Sequence, residues 1–211
     1  MHRRKGWSGL SACVAILSLN LAGSPLIGQG ERHEYRQVHM GMEVRIVLAG
    51  PAGPARLAAA AAFERIAELD DRLSDWRPDS ELRRLESRPT GSWIEVSREL
   101  FEVVSLARQM AVASDGAFDP TVGPLTAIWR QQRSSGIPPA AAELSRALAA
   151  VGYGKLELDS AGQRLRFAAT GMRLDLGGIA KGWILDQAKA AVERHGIREM
   201  LIEAGGDMVL G

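Results

Sequence analysis

Apolar and polar residues alternate along residues 35–48, with Val44, Ile46 and Leu48 on one side. A period of two predicts a β-strand with one buried face. After a break at residues 50–54, apolar positions recur at helical spacing in the alanine-rich segment 55–73, which predicts a helix. The side chains expected to face the core from this helix are Leu57, Ala61, Ile66 and Leu69.

Two serines predict the starts of further helices. Ser80 precedes a short helix that ends near residue 85, and Ser97 separates a short strand at residues 93–96 from a long amphipathic helix at residues 98–113. Each serine hydroxyl can accept a hydrogen bond from a first-turn N–H. The apolar stripe expected along the long helix is Phe101, Val104, Leu106 and Met110.

The C-terminal half predicts helices that alternate with short strands, so the expected fold class is α+β, with a mixed or antiparallel sheet flanked by helices. The predicted elements are, in order, helices at residues 121–133 and 139–151, a hairpin of residues 156–158 and 165–168, a strand at 172–176, a helix at 179–195 and a strand at 199–204.

The first thirty residues differ from the rest of the chain. The basic residues 2–5 precede an apolar run at residues 10–22, which is too short to span a bilayer comfortably, and a stretch with small residues and Pro25 follows. This order is typical of a signal peptide, so we expect residues 1–30 to direct export and residues 31–211 to form the domain. The alternatives are an uncleaved membrane anchor and, because of Cys13, a lipoprotein signal.

Length and composition fit one sizeable domain, since the 211 residues are 46% apolar. The formal net charge is +1, and charges of both signs are spread along the chain, so nucleic acid is not the expected main partner. Cys13 is the only cysteine and lies in the predicted signal peptide. The mature chain is therefore expected to have no disulfide and no thiol chemistry.

The segment LDLGGIAKGWILD at residues 174–186 combines a predicted strand, two glycines and a helix start with Lys181 in its first turn. The positive end of the helix dipole disfavours a lysine there by about 0.3–1 kcal/mol unless an anion intervenes. A phosphate held between backbone N–H groups and Lys181 would supply that anion. The alternative is that Gly177 and Gly178 allow close packing while Lys181 extends into water.

Three other segments are candidate sites. In SDGAFDPTVGPL, residues 114–125, Asp119 is expected to cap the following helix. In the loop Ser74-Asp75-Trp76, the tryptophan is expected either to stack on a purine or flavin ring or to fill a local hydrophobic gap. The strand that ends in Glu203-Ala204-Gly205-Gly206-Asp207 repeats the pattern of a close glycine turn with an acid.

In their order and spacing, these segments closely resemble the motifs of the ApbE family, the FAD:protein FMN transferases. The resemblance extends over residues 35–211, and its most specific parts are Gly116–Leu125 and Asp175–Gly182. The remaining matching segments are residues 39–42, 74–76 and 201–207, together with Trp129.

The resemblance implies an exported, magnesium-dependent enzyme that cleaves the pyrophosphate of FAD. Such enzymes transfer FMN to a threonine or serine hydroxyl of a redox-protein partner and release AMP, while some members hydrolyse FAD to FMN and AMP. The expected location is the periplasm or the outer side of the inner membrane. By the same resemblance the FAD-contacting residues are Met40, Trp76, Ala117, Phe118, Asp119, Asp175 and Lys181, and the carbonyl of Gly178 ligates magnesium.

The sequence departs from the family pattern in two places. Met42 stands where threonine is common, and we expect this to adjust packing only. Family members also continue past the glycine-glycine-acid turn, so the side-chain ligands of magnesium and the catalytic residues are expected beyond Gly211. The sheet is then expected to lack its C-terminal part, and a non-catalytic FAD-binding remnant remains an alternative function.

Overall fold

The computed structural model describes residues 31–211, and the predicted signal peptide lies outside the described residues. The strands are β1 (Arg32–His39), β2 (Met42–Ala49), β3 (Ile94–Glu95), β4 (Leu156–Asp159), β5 (Arg164–Phe167), β6 (Met200–Ala204) and β7 (Asp207–Leu210). The helices are α1 (Ala52–Leu73), α2 (Glu81–Arg84), α3 (Arg98–Ala113), α4 (Gly123–Ser135), α5 (Ala141–Ala150) and α6 (Ala180–Arg194).

The strands form two antiparallel sheets, which confirms the predicted α+β class. One sheet has the order β1-β2-β6-β7, and the other has the order β3-β5-β4. The predicted hairpin between residues 156 and 168 is β4–β5. Along the described residues no helix is long and apolar enough to cross a membrane.

The prediction of one strand over residues 35–48 was wrong, because the chain reverses at Met40 and Gly41. These residues have φ of +52° and +71°, and His39 pairs directly with Met42 in a two-residue hairpin. Such a turn needs positive φ at both central positions, which glycine adopts readily and methionine does not. Of the two central turn residues, only Gly41 is of a type that predicts such a turn from the sequence.

Helices α1 and α6 pack together and lie against the four-stranded sheet. The buried face of α1 consists largely of alanines and includes Ala58 and Ala62, whereas Leu57 is 52% exposed. The prediction that Leu57 faces the core was wrong. Because α6 packs closely against α1, small side chains occupy the buried face of α1 and Leu57 lies on its exposed face. The sheet contributes the predicted Val44, Ile46 and Leu48, which are fully buried.

Helix α3 shows a similar shift of its buried face. Ser97 caps it as predicted, with Leu100 N donating to the serine Oγ at 3.2 Å, and Ser80 caps α2 in the same way. Leu106 and Met110, however, are exposed. The buried residues of α3 are Leu100, Val103, Val104, Ala107 and Ala111.

The predicted strand at residues 172–176 is an extended segment that makes one parallel bridge, from Arg173 to Val122. Asp175 N donates to Pro120 O at 2.8 Å, so the segment runs beside the loop that precedes α4. A Cβ added to Gly123 would lie 2.7 Å from both the Cβ and the carbonyl oxygen of Arg173. Glycine at this position therefore lets the two segments touch.

Asp119 does not cap α4, which begins four residues later. Its Oδ1 accepts hydrogen bonds from Thr121 N at 2.8 Å and Thr121 Oγ1 at 2.6 Å, and its Oδ2 accepts one from Tyr153 N at 2.9 Å. The carboxylate thus ties the loop before α4 to the turn after α5.

We expect Gly123→Ala to lower the free energy of unfolding by about 1–3 kcal/mol, because the added methyl group overlaps backbone atoms that cannot rotate away. Thermal and denaturant unfolding measure this loss. Gly182→Ala is the matched control, since a Cβ there meets nothing within 4 Å and the residue lies inside α6, where alanine favours the helix. Equal stabilities of the two variants would contradict the close approach at Arg173.

We expect Asp119→Ala to destabilise the protein by about 1–3 kcal/mol, because the N–H groups of Thr121 and Tyr153 lose their acceptor. Asp186→Ala serves as control, since Asp186 is exposed and its carboxylate has no hydrogen-bond partner among residues 31–211. Urea unfolding compares the two variants. A midpoint for Asp119→Ala that equals the control's would show that the carboxylate does not tie the loop.

Candidate functional site

A cavity of about 730 Å³ lies where the β1–β2 turn, the end of α1 and the start of α6 meet. This volume is in the range of sites that bind cofactors. The residues that line it are Met40, Gly41, Met42, Asp70, Leu73, Ser74, Asp75, Trp76, Arg77, Leu176, Gly177, Ala180, Lys181 and Ile184.

The antiparallel packing of α1 and α6 explains why the cavity forms at this place. Helix α1 ends at Leu73 and α6 begins at Ala180, and both ends border the cavity. The N-terminal end of α6 carries the positive end of its dipole. Within residues 31–211 the N–H groups of Lys181 and Gly182 have no hydrogen-bond acceptor, so two donors remain at this end.

Lys181 makes an ion pair with Asp207, the first residue of β7, with Nζ 2.8 Å from Oδ2. The anion that the helix start requires is therefore present in the protein itself. Only 27% of the Lys181 side chain is exposed, so the alternative of an ammonium extended into water is wrong. Asp207 is 53% exposed, and such a pair exchanges readily for another anion.

The two hairpin turns meet beside this ion pair. A Cβ on Gly205, which has φ of +54°, would lie 2.6 Å from Met42 Sδ and 3.8 Å from Lys181 Nζ. Met40 is partly buried against the core, and its N–H donates to Asp70 Oδ2 at 3.1 Å. The carboxylate at the end of α1 thus holds the strained Met40 turn at the cavity edge.

Trp76 is 74% exposed at the cavity wall, so the alternative that it fills a hydrophobic gap is wrong. The guanidinium carbon of Arg130 lies 4.2 Å from the centre of its ring. Arg130 Nη2 also contacts Asp75 Oδ2 at 2.5 Å and Asp175 Oδ2 at 3.4 Å. Asp175 Oδ1 accepts a hydrogen bond from Gly177 N at 2.9 Å, which closes the glycine turn.

Arg130 was not among the site residues predicted from the sequence. Its acidic partners lie 55 and 45 positions away, and local patterns do not report such pairings. Arg130 directly follows Trp129, which matches the family pattern, and this position was the one feature of the sequence that pointed to it.

The structure brings Met40, Trp76 and Lys181 together at the cavity and places Asp175 just behind the glycine turn. The other predicted FAD contacts do not line it. Phe118 packs on the outer side of the turn, with its Cε2 3.2 Å from an ideal Cβ on Gly178, and Ala117 beside it is exposed. Contacts of Ala117, Phe118 and Asp119 with FAD therefore stay a prediction.

Magnesium does not fit the described residues alone. Between residues 31 and 211 no three His, Cys, Asp or Glu side chains cluster as metal ligands do. Asp75 and Asp175, the acids nearest the glycine turn, are paired with Arg130. The predicted ligand, the Gly178 carbonyl, supplies a single oxygen.

Comparison with known proteins gives relatives over most of the chain. The FAD:protein FMN transferase of Klebsiella pneumoniae is 29% identical over 150 residues, which are 71% of this chain and 48% of the relative. That of Vibrio cholerae is 31% identical over 145 residues, 68% of this chain and 43% of the relative. The chain thus spans about half the length of these relatives.

Solved structures confirm the predicted ApbE-like fold. The ApbE protein of Thermotoga maritima matches with a TM-score of 0.76 and 30% identity over 85% of this chain and 59% of its own. The flavin transferase ApbE of Vibrio cholerae matches with a TM-score of 0.78 and 27% identity over the same shares. The model of the ApbE family matches residues 40–211, and the chain belongs to this family.

Proposed function

We propose that the chain forms the FAD-binding part of an FAD:protein FMN transferase. The observation that carries this proposal is the cavity in which the start of α6, Lys181 and the exposed ring of Trp76 face one ligand-sized space. A dinucleotide offers an anionic diphosphate and two aromatic rings. The cavity supplies a cationic group and an aromatic surface for these two features.

Lys181 and the first N–H groups of α6 bind the diphosphate in this proposal. The diphosphate replaces Asp207 as the partner of Lys181, because charge-assisted hydrogen bonds to phosphate are stronger than a half-exposed ion pair. Trp76 offers its ring for stacking, and Met40 packs its flexible side chain against the ligand. These contacts hold the phosphorus that is attacked in a fixed orientation.

In the proposed reaction, the hydroxyl oxygen of a threonine or serine on a redox-protein partner attacks the phosphorus on the FMN side of FAD. A new phosphoester bond forms, the bond to the bridging oxygen breaks, and AMP leaves with that oxygen while the hydroxyl proton passes to a base. We place the catalytic residues beyond Gly211. Magnesium dependence and export to the periplasm rest on the family resemblance and the sequence of residues 1–30.

We expect Lys181→Ala to weaken FAD binding about 10- to 100-fold, which corresponds to the loss of one charge-assisted hydrogen bond. Fluorescence titration of FAD with the full chain measures the affinity. Lys189→Ala, farther along α6 and outside the cavity lining, is the control. If the Lys181→Ala variant binds FAD as tightly as the wild type, Lys181 has only a structural role, through its ion pair with Asp207.

Transfer is distinguished from hydrolysis by incubating a protein that includes the proposed catalytic segment beyond Gly211 with FAD, magnesium and a candidate acceptor domain. We expect flavin fluorescence on the acceptor band after denaturing electrophoresis, together with AMP in equal amount. FMN and AMP without a labelled acceptor would instead indicate an FAD pyrophosphatase. Binding of FAD with neither product would indicate a non-catalytic FAD-binding protein.

A further inference from the structure

Arg130 joins three segments that are far apart in the chain. It extends from α4 to Asp75 in the loop after α1 and to Asp175 in the glycine turn. Its guanidinium also stacks on Trp76. Trp76 and Asp75 line the cavity, whereas Arg130 lies behind them. Arg130 therefore contacts two residues that line the cavity but does not line the cavity itself.

The charge of Arg130 balances two carboxylates that are largely shielded from water. The side chains of Asp75 and Asp175 are each 13% exposed, and an oxygen of each lies within 3.4 Å of the same nitrogen. In the described chain neither acid has another cationic partner. Without the guanidinium, two negative charges would face each other beside a space proposed to hold a diphosphate.

The other charges near this group are already paired. Glu86 contacts Arg83 and Arg173, and burial raises its pKa, with the negative charge of Asp75 adding to the rise. On the opposite side of the cavity Lys181 contacts Asp207. Arg77, the cation next to Trp76 in the chain, is itself paired with Asp71 and Asp79 and makes no ion pair with Asp75 or Asp175.

The stacking contact determines which side of Trp76 a ligand can use. Arg130 covers one face of the indole at 4.2 Å, and the ring is nevertheless 74% exposed. The exposed area therefore belongs to the opposite face and the ring edge. A cation on one face of the indole also favours this orientation of the ring.

We propose that Arg130 is a positioning residue for dinucleotide binding, which neutralises Asp75 and Asp175 and holds Trp76 so that a flavin or adenine ring stacks on its open face. This role rests on the proposed function, because it requires that the cavity binds FAD. The arginine touches neither the ligand nor the reacting atoms and acts through these three side chains.

The test compares FAD affinity across matched variants of the full chain. We expect Arg130→Gln to weaken binding about 10- to 100-fold, because the carboxylates of Asp75 and Asp175 would then repel the diphosphate without a compensating cation. The double variant Asp75→Asn with Arg130→Gln recovers most of this loss, since one of the two charges is gone. Arg130→Lys retains the charge and recovers part of it. Arg133→Gln, exposed on the same helix, leaves affinity unchanged.

A second measurement reports the contact without FAD. Arg130→Gln should change the tryptophan emission spectrum of the wild type but not that of a Trp76→Phe background, and circular dichroism confirms that each variant is folded. Unchanged emission, or a loss of affinity that the added Asp75→Asn does not recover, would overturn the role of Arg130. If the wild type does not bind FAD, the proposed function fails and this role fails with it. If the wild type binds FAD and the Arg130→Gln variant binds it equally well, the role of Arg130 is refuted while the proposed function stands.

Discussion

The close packing of α1 against α6 is the contact on which the candidate site depends. Both helices bury small residues, including Ala58 and Ala62 of α1 and Ala188 of α6, and both lie over the same antiparallel sheet. Because they run antiparallel, the end of one and the start of the other open into one cavity. Larger side chains along this contact would separate the loop of Trp76 from Lys181, which belong to different ends of the chain.

Opposite charges around the cavity are paired rather than free. Lys181 contacts Asp207 across the β6–β7 turn, and Arg130 contacts Asp75 and Asp175 behind the wall. The two pairings differ in exposure. Asp207 is half in water and can yield to a ligand, whereas Asp75 and Asp175 are mostly shielded and keep their partner. The site can therefore exchange one anion for another while its wall remains fixed.

Local chemistry explains what the sequence could predict. Ser80 and Ser97 cap helices because an N-cap hydroxyl acts within three residues of itself. The helix dipole predicts an anion beside Lys181, for which a phosphate was expected and the Asp207 carboxylate is found. Resemblance to the family identified the cavity residues Met40 and Trp76 before their geometry was known. Leu57, which was misplaced, and Arg130, for which no role was predicted, both depend on partners that are distant in the chain. Leu57 is turned outward because α6 takes the alanine face, and Arg130 meets acids from two other segments.

The magnitudes favour ligand exchange at Lys181. A partly exposed ion pair is worth about 0–1 kcal/mol, whereas each hydrogen bond from a charged donor to a phosphate oxygen is worth about 1.5–3 kcal/mol. Two backbone N–H groups of α6, without acceptors among residues 31–211, add to the gain at no cost in broken bonds. Under the proposed function, a diphosphate would therefore compete with Asp207 for Lys181 through groups that residues 31–211 already supply. In the proposed function, residues 31–211 bind the dinucleotide, and bond cleavage depends on other residues. The described residues contain no cluster of three His, Cys, Asp or Glu side chains that could hold a metal ion.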